Sequence, residues 1–211
     1  NLNRQNGSTV DNIGRAKVDV ITELLTAINP DVRVEVFRDG VQPDNVDEFV
    51  GGADLVIDES EYTMHEIGVC IARAARRRGL PVLTGFNVAF GTIVTSFDPD
   101  GLTLEGYLGL PEDAPLEQVA AMPVPLERWL PRLPSYVDDE VVSAVGAGER
   151  SAPSVAPGVA LAAGAVATQA FAILCGRGHR VVAPQVLWLD LLELAFEVFD
   201  STPGADVWKH A

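Results

Sequence analysis

The feature that most constrains this chain is a short apolar stretch that empties into acids: Asp54-Leu55-Val56-Ile57, then Asp58-Glu59-Ser60-Glu61. A continuous apolar middle suits a strand buried on both faces, and such strands belong to parallel sheets covered by helices. The flanks agree. From Ile13 to Ile28 the apolar residues Val18, Ile21, Leu24, Leu25 and Ile28 recur at helical spacing, and Asn29-Pro30 stops the helix. Val32 to Phe37 alternates as a half-buried strand does, and Val46 to Val50 reads as a short helix closed by Gly51-Gly52. Thr63 to Arg78 reads as a helix with Ile67, Val69, Cys70, Ile71 and Ala74 inward, ended by Gly79. Pro81 to Thr84 is the next buried strand, and Phe86 to Phe97 carries β-branched residues at Thr92, Ile93, Val94 and Thr95. Strand, helix, strand, helix, strand describes half of a doubly wound α/β sheet. The carboxyl end of the Asp54 to Asp58 strand, where Asp58 and Glu61 emerge, is where such sheets hold ligand groups.

Beyond Leu102 the character changes. Pro111, Pro115, Pro123, Pro125, Pro131, Pro134 and Pro153 break any long helix up to Ser154, so 102–154 reads as a long excursion over the surface. The acidic run Asp138-Asp139-Glu140 within it reads as a solvated helix start. Val155 to Cys175 then supplies a small-residue helix. The longest uncharged run, Ser151 to Cys175, is long enough to raise a membrane span, but Pro153, Pro157, Gln169 and many alanines and glycines favour a buried helix. Val186 to Asp190 and Glu193 to Phe199 read as a closing hairpin. One domain over 1–211 is the expectation, since 211 residues, 47% of them apolar, suffice for one core.

Fifteen basic against thirty acidic residues give a net charge of −15, which argues against a broad basic surface for nucleic acid. Cys70 and Cys175 lie far apart in apolar helical surroundings and form neither a disulfide framework nor a zinc ribbon, so a cytoplasmic protein is expected. His65 follows Glu61 by four residues, so both could share a helix face, but no third metal ligand can be named from the sequence. Against that acidic background the start of the chain stands out. Asn1, Arg4 and Gln5 form a compact polar run, and Lys17, one of two lysines, follows on the first helix. An arginine fork can grip two phosphate oxygens, a lysine adds a point charge, and carboxamides bond sugar or phosphate without charge.

Asn1-Leu2-Asn3-Arg4-Gln5, Ile13-Gly14-Arg15-Ala16-Lys17, Ile28-Asn29-Pro30 and Asp54-Leu55-Val56-Ile57-Asp58-Glu59-Ser60-Glu61, in that order, resemble the ThiF/MoeB/HesA family, adenylyltransferases related to ubiquitin-activating enzymes. The resemblance implies a Rossmann-like, doubly wound, mainly parallel sheet with an antiparallel C-terminal hairpin. It implies that Asn1, Arg4, Gln5 and Lys17 surround the phosphates and ribose of ATP, with a magnesium ion near Glu61 or Asp58. Glu61 stands where the family usually has a metal-binding aspartate, one methylene shorter. The family's glycine-rich nucleotide turn lies upstream of the Asn-Leu-Asn-Arg-Gln motif, so the sheet is expected to be incomplete at its N-terminus here.

The implied activity is ATP-dependent adenylation of a carboxylate, the C-terminus of a ubiquitin-like or sulfur-carrier protein or a peptide. Some members carry a nucleophilic cysteine in the crossover segment; 102–154 has none, which leaves transfer to an outside nucleophile. Two alternatives stand beside this one: activation of a small-molecule or modified-nucleoside carboxylate, and a catalytically inactive partner subunit. The resemblance also implies a homodimer, with no membrane or nucleic-acid partner in view.

Overall fold

A computed structural model describes residues 2–202. Asn1, Lys209 and His210 lie outside the described residues. Five strands form one sheet in the order β1 (Val56–Asp58), β2 (Val82–Val88), β3 (Gly91–Phe97), β4 (Gln185–Asp190), β5 (Ala195–Asp200). β1 and β2 are parallel, with Val56 opposite Val82, and α3 (His65–Arg77) makes the crossover between them. The remaining neighbours are antiparallel, and β4 with β5 forms the expected closing hairpin. The sheet is therefore mixed, and its described parallel part is the single β1–β2 pair.

The reason lies in Ala89 and Phe90. The residues read as one strand, Phe86 to Phe97, turn back on themselves: Val88 pairs with Gly91, leaving a two-residue turn in which Ala89 takes a φ of 48°. A connection that short can join only antiparallel strands. The turn carries none of the Asn-Gly or Asp-Gly signals that mark such hairpins in sequence.

Helices cover both faces. On one side α2 (Val46–Phe49), α3, α4 (Leu104–Leu108), α5 (Leu116–Ala121) and α6 (Leu126–Trp129) enclose a core with Val69, Ile71, Val82, Ile93, Leu108 and Trp188. On the other, α8 (Ala156–Cys175) lies across β2 and β3 and buries Ala165 with Leu83, Val94 and Leu187. Strand alternation sends Val186 and Trp188 to the first core and Leu187 and Leu189 to the second. Two glycines set how closely α8 can approach. A Cβ on Gly158 would stand 2.1 Å from the Ala89 carbonyl oxygen, and one on Gly85 would stand 2.7 Å from Val166 Cγ2. The expectation of a buried helix holds for this inner face only: Phe171 and Leu174 on the outer side are 55% and 56% exposed. By length and composition α8 would also suffice to cross a membrane.

The excursion is fastened at several points. Arg73 on α3 donates from Nε to Glu105 Oε1 at 2.7 Å and from Nη1 to the Ala114 carbonyl at 2.7 Å, with Glu105 almost fully buried. Tyr136 donates its hydroxyl hydrogen to Asp190 Oδ2 at 2.7 Å and accepts from the Phe90 N–H at 3.1 Å. Burial and the neighbouring Asp190 carboxylate push the Tyr136 phenol well above its usual range. α7 (Asp139–Gly146) follows, and its acidic start is exposed as expected.

The first forty residues are built more loosely. α1 (Lys17–Ile28) starts four residues later than the spacing suggested and buries none of its residues. Val32 to Phe37, expected as a strand, takes no regular secondary structure and pairs with no strand among the described residues, and Val32 and Val34 are each 37% exposed. Alternation makes a segment fit for a sheet; a ladder of hydrogen bonds to a neighbour makes it a strand. Cys70 sits in the α3 core, where burial raises its thiol pKa, and Cys175 is exposed at the end of α8.

Candidate functional site

β1 is three residues long and ends at Asp58, where the chain leaves the sheet toward a short 3₁₀ turn (Tyr62–Met64) and α3. Two opposed demands meet at that exit. Asp58 turns inward: it is buried, its Oδ1 accepts the Ser60 N–H at 2.9 Å, and its Oδ2 is packed against Gly68. Glu59 and Glu61 turn outward into a cleft of about 650 Å³ at the carboxyl end of the parallel pair.

Arg4, Gln5 and Lys17 line the same cleft. Their backbone is held by a turn in which the Ser8 N–H donates to the Gln5 carbonyl at 3.1 Å, and by Asn12 Nδ2, which donates to the Gly7 carbonyl at 2.8 Å. Gly7 has a φ of 81°, a conformation that side chains resist, which lets the chain double back before α1 begins at Lys17. Arg4 donates to Asn3 Oδ1 at 3.0 Å, an uncharged partner, and forms no ion pair among the described residues.

Of the residues singled out in the sequence, the structure thus brings Arg4, Gln5, Lys17 and Glu61 into one cleft. Asp58 is placed behind its wall, and Asn1 falls outside the described residues. His65 is buried, and its Nε2 shares a hydrogen bond of 2.9 Å with the Val119 carbonyl. Among the described residues no group of three or more His, Cys, Asp or Glu side chains could hold a metal by itself. The donor set at the cleft still fits magnesium, which binds through one or two carboxylates and completes its shell with phosphate oxygens and water.

Three features of the cleft were not drawn from the sequence. Glu59 Oε1 accepts the Gly85 N–H at 3.2 Å. Its side chain reaches solvent through the cleft, yet the surrounding wall strips away enough water to push the carboxyl up to about 7; the Asp58 charge adds to this and the Gly85 N–H opposes it. The position of Glu59, directly after β1, whose Ile57 is 44% exposed where the sequence suggested burial on both faces, and between two acids already marked, was the signal available for it. Gly85 is the second feature. The third is the segment 148–154, whose residues Gly148, Glu149, Arg150, Ser151, Ala152 and Ser154 form a wall of the cleft. Nothing local announces it, because its neighbours in space come from residues 3, 87 and 89.

The ThiF family model matches residues 1–206. The chain belongs to the ThiF family. Among characterised ThiF relatives, the SAMP-activating enzyme E1 of Haloferax volcanii is 31% identical over 106 residues, which is 48% of this chain and 37% of that protein. The tRNA threonylcarbamoyladenosine dehydratase of Escherichia coli is 36% identical over 85 residues, 40% of this chain and 31% of its own. Among solved structures, Escherichia coli MccB with ATP superposes with a TM-score of 0.66 at 14% identity, covering 98% of this chain and 54% of MccB. That likeness is one of fold: an α/β, Rossmann-type ThiF architecture. The chain spans about a third of the two relatives' lengths and about half of MccB's.

Proposed function

We propose that the intact protein uses ATP to adenylate a carboxylate, the C-terminus of a ubiquitin-like or sulfur-carrier protein or of a peptide. The observation that carries this is the meeting of Arg4, Gln5 and Lys17 with Glu61 in one cleft at the carboxyl end of a parallel strand pair. Phosphoryl and nucleotidyl transfer ask a protein chiefly for positioning and charge neutralisation. Arg4 and Lys17 supply fixed positive charge for phosphate oxygens, and Gln5 supplies a neutral donor and acceptor. Glu61, with Glu59 beside it, would hold magnesium, which lowers the charge of the phosphates as a Lewis acid. Cys70 is buried and the excursion holds no thiol, so the activated acyl group passes to a nucleophile from outside this segment.

The likeness to the SAMP-activating enzyme E1 supports a carrier C-terminus, and the fold shared with MccB, solved with ATP, supports the use of ATP. The likeness to a tRNA-modifying dehydratase supports the alternative of a modified-nucleoside or other small carboxylate. An inactive partner subunit is the remaining alternative, favoured by Glu61 where the family usually has aspartate. A homodimer working in the cytoplasm completes the proposal.

The test is ATP–pyrophosphate exchange by the full-length protein. Removing one preorganised cation costs about 3 kcal/mol of transition-state stabilisation. Arg4→Ala and Lys17→Ala are therefore each expected to slow exchange on the order of a hundredfold. Exchange at the parent rate in both variants would take Arg4 and Lys17 out of the mechanism, and absence of ATP binding by the unmutated protein would leave the inactive subunit.

A further inference from the structure

We propose that Arg150, carried on the strap between α7 and α8, grips the carboxylate that is to be adenylated, so that the acceptor side of the cleft takes a peptide ending in a free C-terminal carboxylate. This rests on the adenylation proposal and adds to it the group that receives the second substrate. The strap is tethered at both ends. Upstream, α7 closes with the Gly148 N–H donating to the Val145 carbonyl at 3.0 Å and the Glu149 N–H donating to the Ala144 carbonyl at 2.9 Å, with Gly148 at a φ of 72°. Downstream, the Ala89 N–H donates to the Pro153 carbonyl at 2.9 Å, and Asn87 Nδ2 donates to Ser154 Oγ at 2.6 Å. Asn3 Nδ2 adds a third contact, donating to the Ser154 carbonyl at 3.3 Å, one residue from Arg4. Three residues, Arg150, Ser151 and Ala152, remain between these tethers, and all of them line the cleft.

Arg150 has no ion pair or hydrogen bond among the described residues. Arg15, Arg38, Arg73, Arg77, Arg132 and Arg180 each pair with a carboxylate. In a chain of net charge −15, a cation kept without a partner at the wall of a cleft is available to an anion from solution.

The reaction calls for such a cation. A carboxylate oxygen attacks the α-phosphorus, a new O–P bond forms, the bond between the α-phosphorus and the bridging oxygen breaks, and pyrophosphate leaves with that electron pair; no proton is transferred. Two anions must approach each other past Glu59 and Glu61. Arg4 and Lys17 answer the charge of the phosphates, and Arg150 answers that of the attacking carboxylate, whose two oxygens match the guanidinium fork.

The experiment measures ATP–pyrophosphate exchange by the full-length protein with a pool of synthetic peptides bearing free C-terminal carboxylates. Arg150→Ala is expected to raise KM for the pool tenfold or more while KM for ATP stays within twofold, and Arg150→Lys to recover part of the loss by restoring charge without the fork. An unchanged melting temperature confirms that both variants fold. A raised KM for ATP with the pool unaffected would assign Arg150 to the phosphates and overturn the proposal, as would no change in either. If the unmutated protein binds ATP by calorimetry, less tightly after Arg4→Ala, yet no peptide supports exchange, the assignment of Arg150 to a peptide carboxylate falls and adenylation of another acid stands. If ATP does not bind, adenylation itself falls.

Discussion

Helix α1 spaces Val18, Ile21, Leu24, Leu25 and Ile28 at helical intervals, as α3 spaces Ile67, Cys70, Ile71 and Ala74, yet α3 buries eight residues and α1 buries none. The difference is one of surroundings. α3 lies between the sheet and a layer of short helices, fastened by Arg73 to Glu105 and the Ala114 carbonyl. α1 is held by ion pairs on its exposed side, Arg15 with Glu23 and Arg38 with Asp19, and such pairs contribute about 0–1 kcal/mol each. An amphipathic pattern states what a helix can bury; a second surface decides whether it does. The cleft straddles that divide, its cations Arg4 and Lys17 on the loosely packed side and Glu59 and Glu61 at the edge of the core.

The contrast can be broken by truncation on both sides. Ile71→Ala in α3 is expected to destabilise the 211-residue chain by about 2–5 kcal/mol, because it removes buried methyl groups and leaves a cavity. Leu25→Ala in α1, 41% exposed, is expected to cost less than about 1 kcal/mol. Urea midpoints of the two variants check both values. An equal loss in the full-length protein would show that α1 finds its surface there.

A smaller effect sharpens how the excursion is held. Tyr136→Phe deletes the hydroxyl that bridges Asp190 and the Phe90 N–H, and a cost of about 1–2 kcal/mol is expected, read from thermal unfolding.

The smallest effect is one of pH at the cleft. Glu59 is raised to about 7 from an ordinary 4.5, so the folded state holds a proton that the unfolded chain has released. Its contribution to stability is fully present below pH 4.5 and is lost as pH rises through 7. The parent protein should therefore lose melting temperature relative to Glu59→Gln between pH 5 and pH 8. A constant difference between the two across that range would remove burial as the cause.

How much of this was legible in the sequence follows from the range of each interaction. The β1 strand, α2, α3 and the closing hairpin were readable because period, apolar runs and glycine stops are local. The β2–β3 reversal was not, since Ala89-Phe90 carries no turn chemistry and the turn is steadied by Pro153, sixty-four residues away. Val32 to Phe37 shows the converse, a local pattern with no partner among the described residues to complete it. At the cleft, Arg4, Gln5, Lys17 and Glu61 were found through motif and residue type. Glu59 hid between two acids that had claimed attention, and Arg150 lay beyond reach because only the tertiary pinning of Ser154 brings it there. Asp58 was visible as an acid, but that its carboxylate would turn back onto the Ser60 amide was not.

The excursion is riveted where it leaves the core, by Glu105 on Arg73, and again where it returns, by Pro153 and Ser154 on the β2–β3 turn. Changes in the length or lettering of the loops between those rivets would leave the Gly85 and Asn87 side of the cleft in place, because that side belongs to β2. The part of the cleft built by the excursion is in that sense a cassette seated on a fixed frame.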